Sequence, residues 1–240
     1  MQSLADEVLT TPPGWGVRTH ALRLVWTLNQ LHIADPISVT EVLALADRHQ
    51  ADLPYRHIVV ADDPTAHQLE LHLETGSWKV DREVLMVLMA PPTREIDASR
   101  VIELDENEML ALMRRWHIEE HSDITIEGLS QLEAFNRREG RLWNESRFGA
   151  IGDGGVPAAI TKLRLDGTTG WVEDVYTVPE ERGRGIARML VTHVTGLARS
   201  AACDLTFIVA DDNDWPKHLY AEIGFRPVGK RWIFHRELAE

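Results

Sequence analysis

The most informative segment of the chain reads Val175-Tyr176-Thr177-Val178-Pro179-Glu180-Glu181-Arg182-Gly183-Arg184-Gly185-Ile186-Ala187. It predicts a strand that runs into a glycine-rich turn, and the turn opens a helix over Ile186–Ser200. The first backbone N–H groups of a helix have no partner inside it, and the helix dipole is positive there. Because glycine lets a backbone approach an anion closely, this turn could cradle a pyrophosphate. Glycines that only turn the chain would give the same pattern.

Two other phosphate-binding patterns do not fit the sequence. Gly183 and Gly185 match the first two positions of the dinucleotide fingerprint G-x-G-x-x-G, but Arg188 occupies the third. The run Gly224–Lys230 imitates a phosphate-binding P-loop, but Arg231 stands where Ser or Thr must hold magnesium. Neither a dinucleotide fold nor a P-loop is therefore expected.

The periodicity of apolar residues predicts the elements around this segment. A strand is followed by two helices, a three-stranded meander, the helix that the glycines open, a strand, a helix and two closing strands. In chain order their expected ranges are Arg100–Leu104, Glu106–His121, Thr125–Arg138, Arg147–Ile151, Pro157–Leu165, Gly170–Val178, Ile186–Ser200, Asp204–Ala210, Trp215–Ile223, Phe225–Val228 and Arg231–Glu237.

With this order of elements, residues 98–240 resemble the GNAT acetyltransferases. The acetyl-CoA signature of that family is Arg or Gln, two residues, Gly, one residue, then Gly or Ala, and here it reads Arg182-x-x-Gly185-x-Ala187. Many members also place an Asn seven residues before a Tyr and end the following helix in Gly-Phe, as Asn213, Tyr220 and Gly224-Phe225 do. The resemblance implies an α+β fold with a mixed central sheet flanked by helices.

The resemblance further implies direct transfer of an acetyl group from acetyl-CoA, a co-substrate, to a primary amine. Backbone amides of Gly183–Ala187 would hold the pyrophosphate, and pantetheine would lie where the strand Val175–Thr177 parts from the strand Asp204–Ala210. Asn213 would bond to the pantetheine arm, although capping the next helix is an alternative role. The implied cofactor-binding residues are Val175, Tyr176, Thr177, Arg182, Gly183, Arg184, Gly185, Ile186, Ala187 and Asn213.

Chemistry of this kind needs a base for the amine and an acid for the leaving thiolate. The resemblance makes Tyr220 the acid, although its ring could simply pack against the Gly-Phe pair. We take Glu173 as the base, acting directly or through a water. Strand alternation puts Glu173 on one face with Trp171 and Val175 and puts Asp174 on the opposite face. Asp174 and water remain alternatives.

Residues 1–92 carry a fainter version of the same order. We expect one or two strands within residues 17–33, a helix over Ser38–Gln50 and then a strand, a helix and an alternating strand, over His57–Ala61, Pro64–Glu74 and Trp78–Leu88. The interpretation is a degenerate GNAT-like α/β half, separated from the catalytic domain by the two prolines in Ala90–Glu95. No glycine occurs in Gln30–Pro36, so we expect no acetyl-CoA site there. The region would help to shape the acceptor pocket, or would be an independent ligand-binding module.

The amino-acid composition narrows the range of expected binding partners and sites. The 240 residues carry a formal net charge of −13, which makes nucleic acids and anionic membranes poor partners. Cys203 is the single cysteine, so an intrachain disulfide and a thiolate metal cluster are excluded. With no signal-peptide pattern and no apolar run of about 20 residues, we expect a cytoplasmic protein.

One motif and one function compete with the interpretation as an acetyltransferase. His117-Ile118-Glu119-Glu120-His121 has the H-x-x-E-H spacing of some zinc peptidases, but it falls at the end of the first helix in the GNAT order, and we expect no metal there. The rival to catalysis is an acyl-CoA-binding regulatory module without turnover. A small-molecule or peptide amine is the expected acceptor, and a homodimer remains open.

Overall fold

The computed structural model describes residues 2–73, 77–90, 92 and 96–238. They form an α+β fold in two compact units. The N-terminal unit holds the chain up to Val84, Asp211–Asn213 and the chain from Gly229 onward. The C-terminal unit holds Leu85–Ala210 and Asp214–Val228. The domain division predicted at residues 92 and 98 stays a prediction, since most of Ala90–Glu95 lies outside the described residues.

The N-terminal unit has strands in the order β1-β2-β3-β4-β11. All neighbouring pairs are antiparallel except β3 and β4, which are parallel and are joined by helix α1. The elements are β1 (Glu7–Thr11), β2 (Gly14–Arg18), β3 (Leu31–Ile33), α1 (Val39–His49), β4 (Tyr55–Val60), α2 (Asp63–Leu73), the start of β5 (Lys79–Leu88) and the end of β11 (Phe225–Glu237). The predicted end of helix α2 at Glu74 lies outside the described residues.

Local sequence explains the clearest of these elements. Ser38 and Glu41 form a reciprocal capping box that starts α1, as the spacing S-x-x-E predicts. Strand β4 is buried along its whole length, which its apolar run indicates. The hairpin β1–β2 was not predicted, and only a short part of residues 17–33 is strand, because two 3-10 turns separate Arg18 from β3.

The C-terminal unit has strands in the order β10-β9-β8-β7-β6. Only β9 and β10 are parallel. The elements are β6 (Val101–Glu103), α3 (Glu106–Glu120), α4 (Ile126–Leu142), β7 (Asn144–Ile151), β8 (Pro157–Asp166), β9 (Thr169–Thr177), α5 (Ile186–Ser200), β10 (Leu205–Asp211) and α6 (Pro216–Ile223), with the end of β5 and the start of β11. The predicted fold class is confirmed, while β11 is one strand where two were expected.

The two units repeat one connection. In each, a helix joins two parallel neighbouring strands, α1 between β3 and β4 and α5 between β9 and β10. Helix α5 buries one apolar stripe, with Ile186, Leu190, Val191, Val194 and Ala198 almost fully covered. The repeated connection agrees with the interpretation of the N-terminal region as a degenerate half of the same fold.

Candidate active site

Strands β9 and β10 are paired with each other only along their first halves. Their parallel pairing runs from Leu205 opposite Thr169 to Ile208 opposite Val172. Beyond that point β9 continues to Thr177, but no further pairing with β10 occurs among the residues that the structure describes. Residues 173–177 therefore present a strand edge whose N–H and C=O groups could bind an extended ligand.

A bulge in β9 changes which side chains share a face. Glu173 lies opposite Lys162 and Tyr176 lies opposite Ile160, so Asp174 and Val175 together face one residue of β8. Asp174 has a φ of 54°, in the left-handed region that such bulges use. The prediction that Asp174 lies opposite to Glu173 is wrong, because the extra residue interrupts the alternation. Both carboxylates reach basic side chains of β8.

Those basic side chains, Lys162 and Arg164, are almost completely buried. Lys162 Nζ lies 2.5 Å from Asp174 Oδ2 and donates to Asn136 Oδ1 at 3.0 Å. Arg164 pairs with the Glu173 carboxylate and also contacts Glu139 Oε2 at 2.8 Å and Glu145 Oε2 at 2.9 Å. We call this set the ionic cluster; its members are Asn136, Glu139, Glu145, Lys162, Arg164, Glu173 and Asp174. Sequence reasoning missed all but the last two.

The ionic cluster shifts the pKa values of two adjacent carboxyl groups, those of Glu173 and Asp174, in opposite directions. Burial, and after it the charge of Asp174, raises the pKa of Glu173 well above its usual range, against the opposing effect of Arg164. Burial would also raise the pKa of Asp174, but Lys162 outweighs it and the pKa of Asp174 is lowered. Glu173 still exposes 25% of its side chain. Glu173 is thus the more readily protonated of the two carboxylates, and Asp174 is the more readily ionised.

The loop after β9 has the geometry of an anion cradle. Gly183 and Gly185 have φ values of 74° and 77°, which residues with a Cβ adopt at a cost. Gly185 is the N-cap of α5, and no side chain caps this helix within the described residues. A Cβ placed on either glycine would meet no atom of the described chain within 4 Å. Free helix N–H groups beside open space fit a pyrophosphate.

Arg182 holds this loop in place. Its Nε donates to the carbonyl oxygen of Thr177 at 2.9 Å, and its Nη2 contacts Glu119 Oε1 at 2.5 Å. Glu119, on α3, also accepts a hydrogen bond from the Tyr176 hydroxyl at 3.0 Å. Burial and then this hydrogen bond raise the pKa of Tyr176 to about 12. Arg184 is likewise engaged, by Asp153 and Glu181. The guanidinium groups brace the loop and leave anion binding to the backbone.

Residues 109–225 match the model of the acetyltransferase (GNAT) family. The chain carries a GNAT acetyltransferase domain. The matched segment is slightly less than half of the chain and contains Glu173, the Arg182–Ala187 loop and Tyr220. The predicted family is therefore confirmed, and with it acetyltransfer as the general activity of the domain.

Comparison with solved structures shows that the fold extends beyond the GNAT domain. A conserved protein of unknown function from Staphylococcus epidermidis matches with a TM-score of 0.70 at 15% identity, over 97% of this chain and 94% of that one. A GCN5-related N-acetyltransferase from Kribbella flavida matches with a TM-score of 0.63 at 16% identity, over 99% and 93%. Another from Sphaerobacter thermophilus has a TM-score of 0.53 at 17% identity, over 78% and 61%. A search among curated proteins gave no significant match.

Tyr220 lies on α6 of the GNAT domain with only 5% of its surface exposed. Its ring meets Phe225 edge-on, with centroids 6.3 Å apart. Burial, followed by the nearby Asp214 carboxylate, raises the pKa of its hydroxyl above the usual value. The phenol therefore keeps its proton at neutral pH, and packing and proton donation are both compatible with its position.

Asn213 follows β10, and the contacts group it with the N-terminal unit. Its backbone N–H donates to Asp211 Oδ1 at 2.7 Å. Helix α6 begins at Pro216 with Trp215 at the N-cap, and in the described chain no side chain caps it. The alternative role of Asn213 as a helix cap is wrong, since α6 begins too late for it. Its predicted contact with pantetheine stays a prediction.

The zinc-like pattern has a structural explanation. His117 lies in the last turn of α3, and His121 is the residue that ends this helix. Burial lowers the pKa of His117 to about 4, so its ring is neutral. Within residues 2–73, 77–90, 92 and 96–238, no group of three or more His, Cys, Asp or Glu side chains is arranged to hold a metal ion. None of the helices described here is long and apolar enough to cross a membrane.

Proposed function

We propose that the chain is an acetyl-CoA-dependent N-acetyltransferase that transfers an acetyl group directly to a primary amine. The observation that carries this proposal is the parting of β9 from β10 next to the open, glycine-lined N-terminus of α5. A strand edge and an anion cradle at adjacent positions suit a ligand with an amide-containing arm and a pyrophosphate.

The residues that would hold acetyl-CoA follow from this geometry. The backbone of Val175, Tyr176 and Thr177 offers the free strand edge, and the N–H groups of residues 183–187 offer the cradle. Arg182 and Arg184 keep the loop in position through Thr177, Glu119, Glu181 and Asp153. Asn213 is the proposed contact to the pantetheine arm. Bound acetyl-CoA supplies an acetyl group activated as a thioester.

Glu173 is the proposed base. The amine must be uncharged to attack, and a carboxylate whose pKa lies above its usual range is better matched to removing an ammonium proton at neutral pH. Asp174 is the weaker candidate, because Lys162 holds it ionised at 2.5 Å and lowers its pKa. Two neighbouring carboxylates with divergent pKa values are a recurrent arrangement for assigning acid and base roles. The proton would pass to Glu173 directly or through a water.

Tyr220 is the proposed acid. As the carbon–nitrogen bond forms and the carbon–sulfur bond breaks, the departing sulfur needs a proton, and the Tyr220 hydroxyl retains one across the physiological pH range. Because burial raises its pKa, the hydroxyl is a weak acid, and its proton can move only as the sulfur takes up the charge of the broken carbon–sulfur bond. The second proton that the nitrogen loses as the amide forms would then restore the hydroxyl.

The acceptor is proposed to be a small-molecule or peptide amine. Most of the net charge of −13 lies in residues 1–120, whereas residues 121–240 carry 18 acidic and 15 basic side chains, so long-range attraction of a cationic acceptor to the proposed site is weak. A role for the N-terminal unit in shaping the acceptor pocket, a homodimer and a cytoplasmic location stay predictions.

The direct test is a panel of primary amines incubated with acetyl-CoA and the purified chain. We expect at least one amine to give acetylated product and free coenzyme A in equal amounts, and Gly185→Asp to give far less of both when acetyl-CoA is kept below saturation. The acyl-CoA-binding module predicts tight binding of acetyl-CoA with no turnover above background for any amine. That result would contradict the enzymatic proposal and leave the binding proposal standing.

A further inference from the structure

The N-terminal unit contains a cleft that the acetyltransferase site does not use. It encloses about 590 Å³, within the range of about 300–1,000 Å³ that is usual for small-molecule sites. Strands β1, β2 and β3 and helix α1 supply its walls. Its lining includes Val8, Leu9, Arg18, Leu31, Leu45 and Arg48.

Arg18 is the unusual feature of this cleft. Its side chain is 8% exposed, and its Nη2 donates to both carboxylate oxygens of Asp52, at 2.6 Å and 2.7 Å. Its Nη1 is buried and has no hydrogen-bond partner in the part of the chain that the structure describes. Buried guanidinium donors are rarely left unpaired, because the lost hydration is not replaced. A ligand in the cleft could supply the missing acceptor.

The charges around Arg18 define what that acceptor would be. Two guanidinium groups, those of Arg18 and Arg48, and two carboxylates, those of Glu7 and Asp52, line the cleft. Asp52 pairs with Arg18 and also lies 3.9 Å from Arg23, and Glu7 Oε1 lies 3.0 Å from His20 Nε2. Both carboxylates thus have partners, which leaves Nη1 of Arg18 and the guanidinium of Arg48 to meet an incoming anion. A planar carboxylate also matches a guanidinium edge better than a point charge does.

The remaining walls are apolar. Val8 and Leu9 of β1 are 45% and 47% exposed, Leu45 is partly exposed beside them, and Leu31 is buried beneath this surface. Exposed aliphatic side chains beside a buried arginine favour a ligand with a short hydrocarbon chain, since covering them removes apolar surface from water. Neighbouring His49 does not add charge, because burial lowers its pKa.

We propose that this cleft binds an organic monocarboxylate with a short aliphatic chain, through Arg18 and Arg48 at one end and the apolar wall at the other. The site lies wholly within the N-terminal unit, so it does not depend on the proposed acetyl transfer.

Calorimetric titration of the full chain with hexanoate tests the proposal, with hexylammonium and inorganic phosphate as comparison probes. We expect one saturable hexanoate site and no saturable binding of the other two. Arg18→Met should abolish binding, but it can also unfold the unit, so the decisive variant is Arg48→Glu, which alters an exposed residue. Hexanoate should bind Arg48→Glu at least tenfold more weakly than Arg199→Glu, which makes the same charge change on α5.

Three results would overturn the proposal. The first is absence of saturable hexanoate binding to the folded wild-type chain. The second is hexylammonium or phosphate binding as tightly as hexanoate, which would refute the assigned ligand class. The third is equal hexanoate affinity in Arg48→Glu and Arg199→Glu, both folded by circular dichroism. None of these readouts uses acetyl-CoA, so they leave the proposed acetyltransferase activity to be judged separately.

Discussion

The substitution Gly185→Asp tests anion binding separately from the stability of the fold. The residue has a φ of 77°, and a side chain there costs about 1–2 kcal/mol of backbone strain. Asp tolerates this conformation better than most residues, and at an N-cap it stabilises a helix slightly better than glycine does. No described atom lies within 4 Å of the new Cβ, so no clash is added. We therefore expect the free energy of unfolding to fall by about 1 kcal/mol or less, which lowers Tm by about 2–4 °C.

Binding of coenzyme A should suffer far more. A carboxylate about 5 Å from one pyrophosphate charge repels it by about 3 kcal/mol at an effective dielectric constant of about 20. That energy corresponds to an affinity loss of about 100-fold, and the carboxylate also competes for the helix N–H groups. Equilibrium titration with coenzyme A, paired with thermal unfolding followed by circular dichroism, measures both quantities.

Gly167→Asp is the matched control. Gly167 lies in the turn between β8 and β9, has a φ of 56° and is equally open to an added Cβ, but it lies outside the cradle. It should lose similar stability and keep wild-type affinity. If Gly185→Asp binds coenzyme A within a few fold of wild type, or if Gly167→Asp loses as much affinity, the cradle has been assigned to the wrong residues.

Three further outcomes follow from the GNAT domain. Tyr220→Phe should lower kcat by about 10²–10⁴-fold with little change in affinity for coenzyme A, and wild-type kcat with any accepted amine would remove this residue from the mechanism. Wild-type kcat/KM should rise with pH as Glu173 loses its proton, with a midpoint above the ordinary glutamate pKa of about 4.3. The Glu173→Gln variant should lose this pH-dependent rise. An unchanged pH profile in that variant would leave Asp174 or water as the base. Arg164→Met should lower the free energy of unfolding by about 3–5 kcal/mol, because it leaves buried carboxylates unpaired, whereas a loss below 1 kcal/mol in urea unfolding would argue against a stabilising ionic cluster.

Most of the fold of the C-terminal unit could be predicted from the sequence, because its elements are long and strongly periodic. The ranges of α5 and β8 differ from prediction by at most one residue. The hairpin β1–β2 could not be predicted in the same way. Its strands are short and include the exposed Val8 and Leu9, so they lack the alternation that marks a half-buried strand.

The glycine turn could be predicted from the sequence, because its proposed function depends on local backbone conformation. The ionic cluster was not, because it joins residues that are distant in sequence, such as Glu139 on α4 and Arg164 on β8. One signal was present in retrospect, namely two basic residues at alternate positions, Lys162 and Arg164, in the middle strand of the predicted meander. The wrong face assigned to Asp174 has a related cause, since a bulge depends on pairing between strands and leaves no mark in a single strand.

The measurement closest to the central claim is a calorimetric titration of the full chain with acetyl-CoA. We expect one site per chain, because the glycine cradle occurs after β9 and no glycine stands between β3 and α1. The affinity of this site should fall by about 100-fold or more in Gly185→Asp and stay at the wild-type value in Gly167→Asp. Two sites per chain, or no saturable binding to the folded wild-type protein, would contradict the proposed acetyl-CoA site.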